Sequence, residues 1–261
     1  MENSLKSVFV VCAVATLCNA QISETNTSHF EVASVKPASS REIGGVYTYP
    51  GGRVGFRGCT FLYLVQLAFD LQEFQIAGQA DWMKTDRYDI DATVPPASRS
   101  SNSNPPYPKA PMNDEQRRML QSLLAERFDL RYRQDTTEGS VYSLTRNGKS
   151  LKMADAKDKS AYPWSGSLGG GAIVGDGLRG INESMPDLAQ RLSRYMGRPV
   201  LDRTGLPGSF DFEASYSVDG QHPDVISMIL TCLNDIGLKL EPSKAQVQMI
   251  IIEQAQRPTA N

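Results

Sequence analysis

The stretch that decides the fold opens with Ser184-Met-Pro-Asp-Leu-Ala-Gln-Arg-Leu-Ser-Arg-Tyr-Met-Gly197 and continues to Glu253. Ser184, with Asp187 three residues on, is typical of a helix N-terminus, because a side-chain oxygen and a negative charge satisfy free N–H groups there. Apolar residues follow at helical spacing, and Gly197 can supply the left-handed C-terminal cap. The spacing therefore predicts a helix between these two caps.

Strands and a second helix complete this stretch. Apolar residues at helical spacing predict the second helix from Val225 to Leu233, closed by Gly237. Short apolar or alternating runs predict strands, and these are residues 177–182, 199–201, 209–216, 238–240 and 247–252. The order is strand, helix, two strands, helix, and then the last two runs at the C-terminal end, so residues 177–253 are predicted as one unit of the βαββαβ type.

A second copy of this pattern lies upstream. Thr60 takes the place of Ser184, and the strand Tyr88-Asp-Ile-Asp-Ala92 matches Phe210-Asp-Phe-Glu-Ala214 in residue type. The interval from cap to strand is 28 residues, from 60 to 88, and 26 residues, from 184 to 210. A second helix opens at Asn113. The sequence therefore predicts an α+β protein of two tandem βαββαβ repeats, each a small sheet with two helices packed on it.

The segments around the repeats complete the domain organisation. Residues 30–153 form the first repeat, which carries an added N-terminal strand and an insertion rich in Pro, Ser and Asn near 95–112. A Gly-rich linker over 154–176 precedes the second repeat, and residues 254–261 form a polar tail.

The N-terminus resembles a secretory signal peptide over residues 1–20, with Lys6 before an apolar run from Val8 to Leu17 and a small residue at Ala20. The run is about half the ~20 residues that a membrane span needs. We therefore expect a cleaved signal, no membrane span afterwards, and an exported protein that is periplasmic or extracellular.

Charge and metal-ligand content restrict the function classes. The net charge of −2 makes nucleic acid an unexpected partner. The cysteines outside the signal, Cys59 and Cys232, are either two buried thiols or a disulfide between the copies. His29 and His222 lie near neither cysteine in sequence, so the sequence predicts no metal site and no cofactor.

Several separate motifs resemble a soil-associated, acidobacterial family of secreted proteins known as a domain of unknown function. They occur in the family's order and are Phe30-Glu-Val-Ala-Ser-Val-Lys-Pro37, Gly78 to Trp82 with Arg87-Tyr-Asp-Ile90, Met119 to Phe128, Asp202-Arg-Thr-Gly-Leu-Pro-Gly208, Gly237 to Glu241 and Arg257-Pro258. The resemblance covers nearly all of the chain after residue 20. It implies no established activity, and the family also occurs fused behind sensor-type membrane metallopeptidase domains.

This chain departs from that family pattern at two places. Relatives tend to carry a histidine where this chain has Tyr132-Arg133, and Asp-His where it has Glu253-Gln254. A histidine-based mechanism is therefore not expected here. The repeats are also similar to the short periplasmic domain at the N-terminus of secretins and TonB-dependent receptors, which implies partner binding by fold analogy.

Residues that could support catalysis are few. Asp89 and Asp91 share one face of a predicted strand, as do Asp211 and Glu213. Acids on one strand face are usually its solvent side, whereas a glycosidase needs two opposed carboxylates. We therefore assign no catalytic residue from the sequence, and a hydrolase of an envelope or environmental polymer that uses these carboxylates stays the alternative.

Aromatic residues in predicted loops are the candidate binding residues. Trp82 lies at a bend between strands, and Tyr162 and Trp164 lie in the Gly-rich linker. Exposed aromatic side chains suit glycan or peptide recognition, whereas for Trp82 a core position is the other interpretation. The prediction is a non-enzymatic binding or protein-interaction module of the cell envelope, with an envelope protein or a glycan such as peptidoglycan as partner.

Overall fold

The computed structural model describes residues 28–38, 44–96, 112–161, 164–166, 177–216 and 224–258. Within these ranges it contains five α-helices and three small sheets, so the α+β class predicted from the sequence is confirmed. The predicted signal peptide and most of the predicted insertion lie outside the described residues.

The helices in the described ranges are α1 (Phe61–Phe69), α2 (Asp81–Thr85), α3 (Asp114–Phe128), α4 (Met185–Met196) and α5 (Val225–Asp235). Four of these five helices begin after a residue whose side chain caps them, and α2, which follows Ala80, does not. The Thr60 hydroxyl accepts a hydrogen bond from the Tyr63 N–H at 3.2 Å, and the Ser184 hydroxyl accepts one from Asp187 at the same distance. The Asn113 side chain caps α3 in the same way. Each such cap stabilises its helix by about 1 kcal/mol.

The strands fall into three sheets of four strands each. They are β1 (Val32–Pro37), β2 (Gly45–Tyr49), β3 (Arg53–Thr60), β4 (Ile76–Ala77), β5 (Arg87–Thr93), β6 (Arg131–Arg146), β7 (Met153–Asp155), β8 (Trp164–Gly166), β9 (Gly177–Ser184), β10 (Val200–Asp202), β11 (Ser209–Ser215) and β12 (Leu238–Gln254).

The two outer sheets have corresponding strand orders. The first sheet joins β1-β5-β3-β2 and the second joins β7-β11-β9-β8, and all neighbouring strands in both are antiparallel. We call β1 to β6 with their helices the first half of the molecule and β7 to β12 with theirs the second half. Strands β7 and β8 form the two edges of the second sheet. Strand β8 lies within the residues predicted as a linker, and β7 spans the start of that predicted linker.

The same local irregularity occurs in both outer sheets, two residues before the helix cap. Gly58 has φ of 58° in β3, and Asn182 has φ of 47° in β9. The Gly58 N–H donates to the Asp89 carboxylate at 2.8 Å, and the Asn182 N–H donates to Asp211 at 2.9 Å. In each half a β-bulge therefore turns one amide away from the ladder, and an aspartate on the neighbouring strand satisfies it.

The central sheet, in the order β10-β6-β12-β4, takes strands from both halves. Its middle is a long antiparallel ribbon in which β6 pairs with β12. The short strand β4 runs parallel to β12 with Ile76 opposite Ile250, and β10 runs parallel to β6 with Val200 opposite Tyr142. Each half therefore places a short strand beside the long strand of the other half, whereas the sequence predicted a separate sheet for each repeat.

The ribbon also differs from the two short strands predicted at 238–240 and 247–252, because β12 is continuous over 17 residues. The intervening residues Glu241 to Gln246 are exposed or half-buried. The apolar pattern of the sequence is interrupted in these residues because solvent reaches both faces of the ribbon, although β12 stays paired with β6 there.

The core consists of two hydrophobic clusters. The first cluster includes residues of α1, α3 and the first sheet together with Ile250 and Ile252 at the end of β12. The second cluster includes residues of α4, α5 and the second sheet together with Leu144 at the end of β6. The end of each long strand is thus buried in the core of the opposite half, which ties the halves together.

The two cysteines are free thiols. Cys59 belongs to the first cluster and Cys232 to the second, and both are fully buried. The sequence allows either a disulfide between Cys59 and Cys232 or two buried thiols, and the structure contains two separate buried thiols. Burial raises the pKa of the Cys59 thiol to about 11, as expected for an unreactive core position.

Candidate ligand-binding surface

The carboxylates considered for catalysis hold the outer sheets together. Asp89 accepts the Gly58 amide of the first bulge, and Asp91 forms an ion pair with Arg57 at 2.5 Å. Both bonds cross from β5 to β3. These two acids therefore have structural partners within their own sheet.

The corresponding pair in the second sheet is arranged similarly. Asp211 accepts the amides of Asn182 and Lys157, at 2.9 and 3.1 Å, and these bonds hold its pKa below the ordinary range. Glu213 faces Arg179 at 3.8 Å. Because the two pairs belong to different sheets, the fold does not gather the four acids on one strand surface.

Trp82, one of the predicted binding residues, packs on the core. It lies in α2, is half-buried against the first cluster, and its ring centroid is 5.1 Å from that of Phe61. Arg257 covers the ring, with its guanidinium carbon 5.4 Å from the centroid. Of the two interpretations of this residue, the packing favours the core position.

The other two predicted binding residues lie at or beyond the edge of the described residues. Tyr162 lies outside the described residues, and for Trp164 only the backbone, in the edge strand β8, is described. Because Trp82 belongs to α2 in the first half and Trp164 to the second sheet, these positions belong to different halves of the molecule.

The two places at which the resemblance implies a departure from the family pattern lie next to each other. Tyr132 and Arg133 are in β6, opposite the end of β12 that carries Glu253 and Gln254. Arg133 approaches Glu253 at 3.6 Å, and Tyr132 packs edge-on against Phe69 with a 4.7 Å centroid distance. In this chain the two positions therefore form an ion pair and a packing contact.

The outer face of the first sheet carries a group of residues that sequence reasoning missed. Tyr47 and Tyr49 alternate along β2, and their rings lie over glycines. A Cβ added at Gly45 would be 3.1 Å from the Tyr47 ring, and one added at Gly55 would be 3.0 Å from the Tyr49 ring. The absence of side chains at these two glycines leaves room for both rings close to the sheet.

Charged side chains continue this face across β3 and β5. The guanidinium carbon of Arg53 lies 5.0 Å from the Tyr49 ring centroid, in cation–π contact. Arg57 donates to the Ile90 carbonyl at 2.9 Å and pairs with Asp91. Burial acts to lower the pKa of Arg57, but the Asp91 carboxylate outweighs it and the net pKa is raised. The guanidinium is thus charged and fixed in position.

We call this set, Tyr47, Tyr49, Arg53, Arg57 and Asp91, the tyrosine–arginine face. It borders a shallow depression of about 480 Å³ whose lining reaches Val32 on β1. The opposite face of the same sheet, with Val54, Phe56 and Ile90, is buried in the first cluster.

A sequence signal for this face exists. Residues 45–57 alternate around Pro50-Gly-Gly52, with Tyr47, Tyr49, Arg53 and Arg57 at one parity and Val46, Val54 and Phe56 at the other. This pattern is typical of a hairpin with one buried and one exposed face. Three glycines among the exposed positions of the pattern obscured it.

Two further properties describe the resolved part of the chain. Within the described ranges, no group of three or more His, Cys, Asp or Glu side chains is arranged to hold a metal ion. None of the helices found there has the length and apolar character needed to cross a bilayer.

Comparison with known proteins gives a family and no activity. Residues 62–255 match the family described as a protein of unknown function (DUF3738). No curated protein and no solved structure matches the chain.

Proposed function

Because the chain belongs to the DUF3738 family, whose description names no activity, we propose its function from its geometry. We propose that it is an exported, non-enzymatic binding module of the cell envelope, and that its tyrosine–arginine face holds a glycan chain such as peptidoglycan. The observation that carries the proposal is the pair of tyrosine rings lying over Gly45 and Gly55, on the same face as a fixed Arg57–Asp91 pair.

The two kinds of side chain in this face match the two kinds of surface on a sugar. Aromatic rings provide apolar area for the C–H faces of a pyranose at small cost in side-chain entropy. Tyr47 and Tyr49 are two residues apart on one strand, so their Cα atoms are about 7 Å apart. A ligand that contacts both rings is therefore an extended chain rather than a single small ring.

Hydroxyl groups of the same ligand would meet Arg57 and Asp91. A guanidinium offers several donors in fixed geometry and a carboxylate offers acceptors, so the pair can bond a hydroxyl from both sides. Arg57 is already oriented by the Ile90 carbonyl. This orientation reduces the entropy lost when a ligand binds.

Charge separates a glycan from a single-stranded nucleic acid, which also stacks on aromatic side chains. Nucleic-acid surfaces are strongly basic, whereas here Asp91 neutralises Arg57 and the whole chain has a net charge of −2. This balance of charge favours an uncharged or mixed-charge ligand, such as a glycan, over a nucleic acid.

The envelope setting rests on the N-terminal sequence. Residues 1–20 have the organisation of a secretory signal, and this supports a periplasmic or extracellular location. The family resemblance to secreted proteins supports the same location.

An internal duplication is part of the proposal. Its support is the corresponding order of elements in the two halves, the corresponding outer sheets, and the two bulges whose amides bond Asp89 and Asp211. The likeness of each unit to the short periplasmic domain of secretins and TonB-dependent receptors rests on this duplication. A protein partner would be the second ligand class suggested by that likeness.

Co-sedimentation with insoluble polysaccharides tests the binding function. The purified protein is mixed with peptidoglycan sacculi, cellulose or chitin, and bound protein is measured against free protein. We expect saturable binding to at least one of these, and about a tenfold loss of affinity in the Tyr47→Ala/Tyr49→Ala variant, because each stacked ring contributes about 0.5–1.5 kcal/mol.

The Phe74→Ala variant is the control, because Phe74 is a partly exposed aromatic side chain outside this face. It should bind as the unaltered protein does. An absence of saturable binding to all three polysaccharides, or equal binding by the double tyrosine variant, would contradict the proposal.

The alternative of a carboxylate hydrolase can be tested in the same samples. Asp91 and Glu213 face arginines and do not cap the bulges, so Asp91→Asn/Glu213→Gln should fold. We expect no reducing ends to appear with either protein. Release of reducing ends by the unaltered protein and its loss in this variant would favour the hydrolase.

A further inference from the structure

A groove of about 390 Å³ lies between α1 of the first half and α4 of the second. Tyr63, Gln66 and Leu67 of α1 line one side, and Gln190 and Arg194 of α4 line the other. Its volume is within the range of small-molecule sites. The groove lies apart from the tyrosine–arginine face and shares no lining residue with the depression there.

Most charges in the groove wall have partners. Asp70 pairs with Arg117 at 2.5 Å, and Glu73 pairs with Lys84 at 3.1 Å. Arg191 is held by the fully buried Glu183, whose two oxygens accept from it at 2.7 and 3.2 Å. These pairs leave the wall close to neutral.

Arg194 differs from the other arginines of the groove. It is exposed and forms no hydrogen bond or ion pair with another residue in the described part of the chain. Burial raises the pKa of Tyr63, and the positive charge of Arg194, which lines the same groove, partly opposes that rise. The cation and the half-buried Tyr63 ring therefore line the same groove.

The remaining lining is partly polar and partly apolar. The side chains of Gln66 and Gln190 have no hydrogen-bond partner within the described ranges, and each can donate and accept. Leu67 and Phe74 supply an apolar wall, and Phe74 is 38% exposed at the surface of the groove. The groove thus contains both an exposed aromatic residue and an unpaired cation, and a ligand with an apolar part and an acidic group would satisfy both.

We infer that this groove binds a small amphipathic organic anion, with its acidic group on Arg194 and its apolar body against Leu67 and Phe74. The acidic group would accept hydrogen bonds from the guanidinium and from the glutamine amides. The apolar body would cover Phe74 and remove its exposed area from water.

Two fluorescent probes of the same shape separate the charge from the apolar contact. The anion is 1-anilinonaphthalene-8-sulfonate, and its neutral counterpart is N-phenyl-1-naphthylamine. We expect Arg194→Gln to weaken binding of the anionic probe about tenfold, as for loss of a charge-assisted hydrogen bond, and to leave binding of the neutral probe within twofold. Phe74→Ala should weaken binding of both probes.

Arg203→Gln is the matched control, because Arg203 is also an exposed arginine of the second half and does not line the groove. It should bind both probes as the unaltered protein does. Thermal unfolding of each variant checks that the fold is retained.

Equal binding of the anionic probe by the unaltered protein and by Arg194→Gln would overturn the inference, as would the absence of saturable binding. The Tyr47→Ala/Tyr49→Ala variant should bind both probes normally. Failure of this site and failure of the glycan-binding face are therefore distinguishable.

Discussion

Strand β3 ends in Gly58-Cys59-Thr60 and β9 ends in Asn182-Glu183-Ser184, and these tripeptides occupy corresponding places before α1 and α4. Their first residues are left-handed and their last residues cap the helix. The middle residues differ in chemistry: Cys59 is a neutral thiol in an apolar cluster, whereas Glu183 is a buried carboxylate. The comparison shows that the backbone requirements are met alike in both halves while the side chain that points inward can change its chemistry.

The buried carboxylate of Glu183 needs charged and polar partners that the neutral Cys59 thiol does not need. Glu183 is fully buried and bonds Arg191 and the Ser165 hydroxyl, the latter at 3.0 Å. Burial raises the pKa of Glu183 despite the opposing effect of Arg191. The second half therefore contains a buried ion pair at a place where the first half has a thiol that contacts backbone carbonyl oxygens.

Glu183→Ala should give the largest difference between the halves. It leaves the partly buried Arg191 without its counter-charge, and we expect a loss of about 3–5 kcal/mol in the free energy of unfolding. Cys59→Ala removes one buried sulfur atom and should cost about 1 kcal/mol. Urea unfolding measures both, and equal losses would show that the ion pair stabilises no more than the thiol.

The turns that follow β4 and β10 should respond differently to alanine. Gly78 has φ of 79°, and a Cβ there would be 2.2 Å from the Ile252 carbonyl oxygen, whereas Gly205 has φ of 68° and open space around it. We expect Gly78→Ala to cost about 3 kcal/mol and Gly205→Ala about 1 kcal/mol, because only the first adds a clash to the backbone strain. Similar melting temperatures for the two variants would contradict the close approach of β4 to β12.

The two bulge aspartates should respond alike. Asp89→Ala and Asp211→Ala each remove the acceptor of a bulge amide, and we expect each to cost about 1–2 kcal/mol. Lys36→Ala, on an exposed position of β1, is a control that should change stability by less than about 0.5 kcal/mol. A large loss in one half only would weaken the case for corresponding frameworks, and with it the proposed duplication.

The smallest expected effects are on the pH dependence of the free energy of unfolding. Two residues of the second half, Glu183 and Asp211, should change it with pH in opposite directions. Glu183 has a raised pKa, so its contribution to stability is complete below its unfolded pKa and falls as pH rises through the folded value. Asp211 has a lowered pKa, so its contribution is present above its unfolded pKa and is lost as pH falls through the folded value. Asp211 is partly exposed, so its effect is screened by solvent.

Unfolding free energies of Glu183→Gln and Asp211→Asn, each subtracted from those of the unaltered protein between pH 3 and 7, would isolate these slopes. The difference should fall with pH for Glu183→Gln and rise with pH for Asp211→Asn. Slopes of the same sign would show that burial does not dominate at Glu183.

Local signals in the sequence predicted the helices well. Thr60, Asn113 and Ser184 were identified as caps from residue type and spacing, and each caps its helix. The predicted strands at 88–92, 177–182 and 209–216 also lie close to the observed bounds of β5, β9 and β11. These features depend on a few adjacent residues, so one sequence is enough to find them.

Features that depend on distant contacts were missed or altered. The pairing of β6 with β12 decides the central sheet, and nothing in the polar residues 134–140 or 241–246 indicates it. The candidate binding face was missed because glycines at 45 and 55 weaken the strand pattern while making room for Tyr47 and Tyr49. The sequence allows Trp82 to be either an exposed binding residue or a core residue, and only its contact with Phe61 in the folded protein distinguishes these interpretations.

The β6–β12 ribbon constrains the order of events when the chain folds. The two serines that bond across it, Ser143 and Ser243, are 100 residues apart. Closing a loop of that length costs about 4 kcal/mol of chain entropy before any ribbon bond forms, so the helices can form early whereas the ribbon waits for the last strand. Until residues 238–254 reach β6, the first cluster lacks Ile250 and Ile252 and the long edge of β6 is unpaired. During synthesis the first half therefore cannot complete its fold ahead of the second, and a chain cut between the halves would yield two incomplete domains.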